Sequence, residues 1–406
     1  MGTVTWSSVL GADGTGQRVP GKITPAETQE GLVAYHYDYA PHLLPSGPFV
    51  GGMWRYRGLL PLTDGPVRYP LQVGGTPLVA PSRIGTELGI DRLWIKDETR
   101  SPSGSNKDRA TALVLEHAMR SGAMTVSAAS TGNVAVSLSI GAAAAGVAAV
   151  IFVSDTVDEG KLRLMLVAGA VVVKVKGGYE AAFDLSRVAA RHFGWLDRNT
   201  GVNPVTLEGK KTVAFEIWEQ LSRRLPDAVL VPVGDGTTYS ALAKGFWELE
   251  ACGVTDRLPR LIGVQAEGAQ PIKVAFETRS EAVAGPCRTL ADGIAVGRPI
   301  SGAMAIRAAQ ETAGSFVAVT DEALLNSIQL LASRAGIIAE PAAAAAHAGL
   351  EAALELGLVR SDEEIVLLVT GSGLKTPQFL RPSGRVLAVP NNLAALEAAL
   401  QSDSNF

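Results

Sequence analysis

Short apolar runs alternate with segments of helical spacing over most of the chain from residue 93 onward. The runs lack the apolar–polar alternation of a half-exposed strand, and they lie at 93–98, 125–130, 147–154, 170–177, 228–234, 258–268 and 363–373. Segments with helical spacing lie between them, at 107–119, from 134, and at 160–168, 179–193 and 341–354. Buried strands that alternate with helices indicate parallel sheets covered on both faces. Because the units are too many for one mononucleotide-binding sheet, the sequence predicts an α/β fold with two three-layer α/β/α domains and mostly parallel sheets.

The composition narrows the functional classes. Of the 406 residues, 47% are apolar and 19% are charged, which predicts a large folded core. Basic residues number 36 against 40 acidic ones, so we expect no binding to nucleic acid or to a membrane. Two cysteines, Cys252 and Cys287, and five histidines exclude a disulfide framework, and we expect no metal site. The N-terminus lacks a secretion signal and the apolar stretch 140–153 is too short to span a bilayer, so the sequence predicts a cytoplasmic enzyme.

The loop at 96–110 carries a lysine in an unusual electrostatic position. Lys107 comes directly after a Gly/Ser turn, at the predicted start of a helix. The positive end of the helix dipole disfavours an ammonium there and favours the neutral amine, which a Schiff-base lysine needs. For this loop taken alone, a solvated surface lysine is the alternative interpretation.

A second loop, 127–137, joins a strand to a helix. Ser130, Thr131 and Gly132 offer hydroxyl and backbone N–H donors that suit a carboxylate, and Asn133 could bond a phenolic oxygen. An ordinary helix N-cap is the alternative.

Two further loops follow predicted strands. The loop at 231–245 has spaced glycines and two threonines before a helix, which suits a phosphate dianion, and it matches neither a Walker loop nor a dinucleotide fingerprint. A tight turn that requires glycine is the alternative. In the loop at 367–378, Thr370 and Ser372 could present hydroxyls to a ring nitrogen, or they could simply cap the next segment.

Together and in this order, the loops resemble pyridoxal-phosphate enzymes of the tryptophan synthase β-like class, fold type II, and within it the threonine synthases. The resemblance extends from about Met53 to Lys375. The stretches that carry it are MWRYRGLLPL (53–62), GGTPLVAPSRIGTELGI (74–90), WIKDETRSPSGSNKDRA (94–110), STGNVA (130–135), NPVTLEGKKTVAFEI (203–217), VPVGDGTT (231–238), LIGVQAEGAQPI (261–272), ADGIAVGRPI (291–300), GIIAEPAAAA (336–345) and TGSGLK (370–375). It implies pyridoxal 5'-phosphate as cofactor, an amino acid as substrate and a homodimer.

The resemblance also implies a role for each matching residue. Lys107 would carry the cofactor and shuttle protons, Asn133 would bond its phenolic oxygen, and Thr370 would face its pyridine nitrogen. The substrate carboxylate would be bound by Ser130, Thr131 and Gly132, and the cofactor phosphate by Gly234, Asp235, Gly236, Thr237 and Thr238. Glu340 is typical of the family, but the sequence gives it no chemical role.

The expected domain division follows the same resemblance. Residues 71–108 and 205–406 form a large cofactor-binding domain, and 109–204 form a small α/β domain. The first 70 residues are rich in glycine and proline and lack sustained periodicity, so they predict an extended arm that wraps the core or reaches a partner subunit.

Three positions depart from the family pattern. Asn106 stands where phenylalanine is usual before the lysine, so we expect its amide at the cofactor or substrate. Thr206 stands at the arginine of the NPxR stretch, which reads the phosphate of O-phosphohomoserine, and Ser372 replaces a histidine. Losing a bidentate guanidinium removes a strong phosphate contact, which leaves the leaving group open.

The sequence therefore leaves two functions open and argues against two others. The first is a lyase that converts O-phospho-L-homoserine and water to L-threonine and phosphate. The second is a sibling enzyme that performs elimination or replacement on another amino acid, such as a serine or threonine dehydratase. A non-catalytic amino-acid sensor would lack the lysine that is present at 107, and an NAD-dependent dehydrogenase would need a glycine fingerprint that is absent.

Overall fold

The computed structural model describes residues 4–10, 16–20, 32–155 and 157–401, and these follow the predicted alternation of strands and helices. The strands are β1 Val4–Leu10, β2 Gly16–Pro20, β3 Leu32–Tyr37, β4 Leu78–Val79, β5 Leu93–Asp97, β6 Thr125–Ala129, β7 Ala148–Ser154, β8 Val171–Val175, β9 Leu196–Asp197, β10 Ala228–Pro232, β11 Arg260–Ala266, β12 Ser315–Val319 and β13 Ile365–Val369.

The helices lie between these strands. They are α1 Ser82–Leu88, α2 Lys107–Ser121, α3 Asn133–Ala145, α4 Glu159–Val167, α5 Gly178–Phe193, α6 Val205–Gln220, α7 Thr237–Ala251, α8 Pro271–Thr278, α9 Gly302–Glu311, α10 Asp321–Leu330, α11 Pro341–Glu355 and α12 Leu393–Gln401. Among the helices of the described ranges, none combines the length and apolar character needed to cross a membrane.

The strands form two parallel sheets, as the sequence predicts. The larger has the order β12-β11-β10-β13-β5-β4, and only β4 at its edge is antiparallel. The smaller has the order β8-β7-β6-β9 and is parallel throughout. Every residue of β10 and β13 is buried, because helices pack on both faces of the larger sheet. The predicted α/β class with mostly parallel sheets is therefore confirmed.

One helix is unusually deep in the molecule. All residues of α6 from Val205 to Glu219 are buried, and α6 packs against both α2 and α7. Its mixed sequence of charged and apolar residues gives no amphipathic face that would have indicated such burial. Among the described residues, all of these charges except Lys210 form ion pairs inside the protein, and the pairs of Glu216 and Lys211 connect α6 to β5, α2 and α7.

The described part of the predicted arm contains a small antiparallel sheet with the order β2-β1-β3, which the sequence analysis does not anticipate. The last residue of β3 and the chain just after it lie against α6 and α7. The Tyr37 hydroxyl donates a hydrogen bond to Glu208 Oε2 at 2.6 Å, and the Tyr39 ring meets Trp247 edge-on at 5.1 Å between centroids. This segment therefore packs on the core of its own chain. Residues 1–3, 11–15 and 21–31 of the predicted arm lie outside the described residues.

Candidate active site

One cavity collects polar residues at the carboxyl ends of strands from both parallel sheets. Lys107 comes after β5, and Asn133 comes after β6. Gly234 follows β10, and Thr370 follows β13. Parallel sheets bind ligands at this edge. The predicted site residues that line the cavity are Asn106, Lys107, Asn133, Gly234, Asp235, Gly236, Thr238 and Thr370, and they are joined by Pro232, Val233, Tyr239, Gly293, Ile294, Glu340 and Ala342.

Lys107 is the first residue of α2, as predicted. Burial lowers the pKa of its ammonium, and the nearby Arg198 guanidinium lowers it further, while Asp235 and Glu340 act in the opposite direction. The helix N-terminus likewise disfavours a positive charge at this position. A lowered pKa makes the neutral amine more available near neutral pH, and this is the form that acts as a nucleophile or accepts a proton.

Asn106, directly before this lysine, presents a buried amide that has no hydrogen-bond partner among the residues that the structure describes. The residue is 1% exposed, and neither side-chain atom Oδ1 nor Nδ2 makes a hydrogen bond. Its backbone N–H donates to the Thr370 carbonyl at 2.9 Å, which fixes the residue beside the end of β13. A buried amide without hydrogen bonds is costly, so this side chain fits a ligand with polar groups.

Asn133 and Glu340 form a pair across the cavity. The Asn133 amide nitrogen Nδ2 donates to Glu340 Oε1 at 2.5 Å, while Asn133 Oδ1 and Glu340 Oε2 have no hydrogen-bond partner within the described ranges. Burial raises the pKa of the Glu340 carboxyl, and Asp292 raises it further, while Lys375 and Lys161 act in the opposite direction. The carboxylate therefore holds the Asn133 amide in one orientation and leaves part of that amide available to a ligand.

The glycine loop after β10 is shaped by close contacts. Gly236 has φ +91°, and a Cβ on it would lie 2.8 Å from the Ser301 carbonyl oxygen, so glycine is required. Asp235 is bonded to the first residue of α7, because Thr237 donates to its carboxylate from the backbone N–H at 3.0 Å and from the hydroxyl at 2.8 Å. The Thr237 hydroxyl is thus engaged by Asp235 and does not line the cavity, whereas Thr238 does.

The predicted carboxylate clamp, Ser130, Thr131 and Gly132, lies beside the cavity and does not line it. The Ser130 hydroxyl accepts a hydrogen bond from the Gly132 N–H at 3.1 Å, and a Cβ on Gly132 would lie 3.6 Å from Asp292. Asp292 precedes the cavity-lining Gly293 and forms an ion pair with Lys161 of α4. The clamp therefore sits near the cavity wall, beside Asp292.

Thr206 and Ser372, two of the three residues that depart from the family pattern, also lie outside the cavity lining. The Thr206 hydroxyl donates to the Asn203 carbonyl at 2.7 Å within the first turn of α6. The Ser372 hydroxyl accepts from the Leu374 N–H at 3.3 Å. Both hydroxyls are used by the backbone near them, as small polar side chains at helix starts commonly are.

Glu340 stands out in the sequence without a role, and the buried cations Arg198 and Lys210 near Lys107 are not predicted as site residues. The signal for Glu340 is a single carboxylate inside the apolar stretch 336–345. An isolated charge in a buried segment is unusual unless it is paired or functional. Arg198 and Lys210 lie among other charged residues, so the sequence offers no comparable signal for them.

Comparisons with known proteins identify the family that the sequence resembles. Residues 69–371 match the family model described as pyridoxal-phosphate dependent enzyme. The chain is 38% identical over 355 residues to a threonine synthase of Methanocaldococcus jannaschii, covering 86% of this chain and 87% of the relative. It is 36% identical over 351 residues to a threonine synthase of Mycobacterium leprae, covering 86% of this chain and 95% of the relative.

Solved structures share the fold. A threonine deaminase of Solanum lycopersicum superposes with a TM-score of 0.64 at 22% identity, covering 76% of this chain and 88% of that one. Maize serine racemase superposes with a TM-score of 0.63 at 19% identity, covering 80% and 92%. The resemblance stated from the sequence is confirmed, and this chain belongs to the pyridoxal-phosphate-dependent enzymes of fold type II, within the threonine synthase family.

Proposed function

We propose that this enzyme converts O-phospho-L-homoserine and water to L-threonine and phosphate. Its cofactor is pyridoxal phosphate, as the family match establishes. The observation that carries the proposal is the position of Lys107 at the start of α2, in one cavity with Asn133, the loop from Gly234 to Thr238, and Thr370. An amine, an amide, a phosphate cradle and a ring-nitrogen partner are the groups that this cofactor requires.

Lys107 and Thr370 would contact different parts of the cofactor. Bound pyridoxal phosphate supplies an electron sink that stabilises negative charge on the substrate carbons. Lys107 would hold it covalently and then move protons at Nζ, which its lowered pKa favours. The Thr370 hydroxyl would contact the pyridine nitrogen, and a hydroxyl there does not stabilise a fully protonated ring as a carboxylate would.

The phosphate of the cofactor would be held at the N-terminus of α7. Gly234, Gly236 and Thr238 line the cavity there, and the helix dipole favours an anion. Asp235 and Thr237 would act by shaping this loop, because their side chains bond each other.

The substrate carboxylate would be bound at the start of α3. Ser130, Thr131 and Gly132 precede that helix, which begins at Asn133, so their donors belong to a site with a favourable dipole. Asn106 lies beside the end of β13, and we propose that its unpartnered side-chain amide bonds the cofactor or the substrate from there.

Asn133 would bond the cofactor's phenolic oxygen, and Glu340 holds the Asn133 amide in the orientation for it. Changing Glu340→Gln is expected to lower kcat by about 10- to 100-fold, because a hydrogen bond to a charged acceptor is worth about 1.5–3 kcal/mol and Asn133 would lose its fixed orientation. The measurements are steady-state kinetics and the visible spectrum of the bound cofactor. Glu355→Gln, at the exposed end of the same helix, is the matched control. Wild-type kcat and an unchanged spectrum in Glu340→Gln would contradict this role.

A second candidate is the sibling enzyme with another leaving group. It is favoured by Thr206, whose hydroxyl is bonded to the Asn203 carbonyl and which supplies no guanidinium for a phosphate. In this case the same lysine and cofactor would act in elimination from serine or threonine, or in replacement on another amino acid.

A substrate comparison separates the two candidates. The holoenzyme is incubated with O-phosphohomoserine, L-threonine and L-serine, and the release of phosphate, threonine and 2-oxo acids is measured. We expect equimolar phosphate and threonine from O-phosphohomoserine and little 2-oxo acid from the others. Fast 2-oxo acid formation without threonine synthesis would favour the sibling.

We further propose that the enzyme is a cytoplasmic homodimer with a large domain, 71–108 and 205–406, and a small domain, 109–204. The two sheets support this division. The strands of the larger sheet, β4, β5 and β10–β13, fall in the large domain, and those of the smaller sheet, β6–β9, fall in the small domain. The resemblance to the family supports the homodimer, and light scattering on the purified protein would measure its mass.

A further inference from the structure

Two fully buried cations beside Lys107 form no ion pair with any carboxylate of the described residues. Arg198 is 0% exposed, and among those residues its guanidinium donates only to neutral oxygens, the hydroxyls of Thr111 at 3.1 Å and Thr200 at 2.8 Å and the Lys107 carbonyl at 3.4 Å. Lys210 is 1% exposed, and within the described ranges its Nζ forms neither a hydrogen bond nor an ion pair.

The other large buried cations of the described chain are paired. Lys96 contacts Glu216 at 2.7 Å, and Arg109 contacts Glu98 and Glu216 at 2.7 Å. Lys211 contacts Glu248 at 2.8 Å, and Lys161 is paired with Asp292. Since an isolated buried charge is costly, the two unpaired cations indicate an anion that is supplied from outside the chain.

The position of these cations connects them to the cavity. Lys210 interacts electrostatically with Asp235 and Lys107, which both line the cavity. Arg198 interacts at longer range with Asp108, Asp197 and Asp235, none of which forms an ion pair with it. Burial lowers the pKa of Lys210 far below its usual range, and burial lowers the pKa of Arg198 to about 10. A bound dianion would stabilise the charged form of both groups.

The location on α6 indicates which anion is bound. Lys210 lies four residues after Thr206, so the two share one face of the helix. Thr206 is the position at which the family pattern has its phosphate-reading arginine. A lysine one turn further along the same face, together with Arg198, can supply the positive charge that Thr206 does not.

We propose that Lys210 and Arg198 form an oxyanion subsite that binds the phosphate ester at the distal end of the amino-acid substrate. The inference rests on the proposed function for the identity of the substrate. The subsite itself is defined by two unpaired buried cations next to the reactive lysine, and it would make this chain specific for a phosphorylated amino acid.

Binding rather than turnover tests the subsite. The holoenzyme is mixed by stopped flow with increasing concentrations of O-phosphohomoserine or homoserine, and the visible absorbance of the bound cofactor is followed before turnover. We expect tighter binding of the phosphorylated ligand by the wild type. Lys210→Met should raise its Kd by about 10- to 100-fold, as expected for a lost charged hydrogen bond, and leave the Kd of homoserine unchanged. Lys210→Arg should retain the preference, and the exposed Lys174→Met is the control.

The cofactor's own phosphate is the other source of the same chemistry, and the affinity for pyridoxal phosphate separates the two. A weaker Kd for the cofactor in Lys210→Met, with equal losses for both ligands, would overturn the proposal. So would equal affinities for the two ligands in the wild type, or an unchanged preference in both Lys210→Met and Arg198→Met. If O-phosphohomoserine binds in a Lys210-dependent way but yields no threonine, the reaction is wrong and the subsite stands.

Discussion

Replacing Lys107 by alanine is expected to reduce kcat by at least about 1,000-fold, because the change removes both the covalent link to the cofactor and the base that moves protons. The side chain lines the cavity at the start of α2, and burial lowers the pKa of its ammonium, so no other described group combines this position with an available amine. Lys210 is near, but it does not line the cavity. Initial rates on O-phosphohomoserine and the visible spectrum of the purified variant are the measurements.

The control for this variant is Lys174→Ala, which removes an exposed lysine from β8 and should leave the rate unchanged. Added methylamine should restore part of the lost activity of Lys107→Ala, since a free amine can replace the missing base. Lys107→Ala protein that keeps a substantial fraction of wild-type activity without added amine would show that another residue does this chemistry.

Arg109→Met is expected to lower the free energy of unfolding by about 3–5 kcal/mol, because it leaves buried carboxylates without their counter-charge. The Arg109 guanidinium is fully buried and contacts Glu98 and Glu216 at 2.7 Å each. Lys96 also contacts Glu216 at 2.7 Å, so four charges form one network: Lys96 on β5, Glu98 in the turn after β5, Arg109 on α2 and Glu216 on α6. The network holds the helix that begins with Lys107.

Urea unfolding followed by fluorescence and circular dichroism measures this loss. The matched control is Arg163→Met, which breaks an exposed pair with Glu159 on α4 and should cost less than about 1 kcal/mol. If Arg109→Met unfolds at the same urea concentration as the control, the buried network contributes little, and the rigidity of α2 must have another source.

The alternation of strands and helices is predictable from the sequence because buried parallel strands are uninterrupted apolar runs. The predicted helix at 179–193 is observed as Gly178–Phe193, and the predicted helix start at Lys107 is observed at that residue. The strands β1 to β3 are not predicted, because their antiparallel pairing depends on contacts between distant segments and their sequences mix polar with apolar residues.

The candidate site is only partly predictable, for a related reason. Residues that follow strands, such as Asn133 and Thr370, can be found because parallel topology brings those loops to one edge. The partner of Asn133 cannot be found this way, since Glu340 is 207 residues away along the chain. The unpaired state of Arg198 and Lys210 is likewise invisible in the sequence, because charge pairing depends on the three-dimensional contacts of every neighbour.

The most direct test of this account is chemical trapping of the cofactor on the resting enzyme. The purified holoenzyme is reduced with borohydride and digested, and the peptides are sequenced by mass spectrometry. We expect one pyridoxyl group, attached to Nζ of the lysine that begins α2. A pyridoxyl group on Lys210 or any other lysine, or none at all, would contradict the assignment on which the proposed chemistry depends.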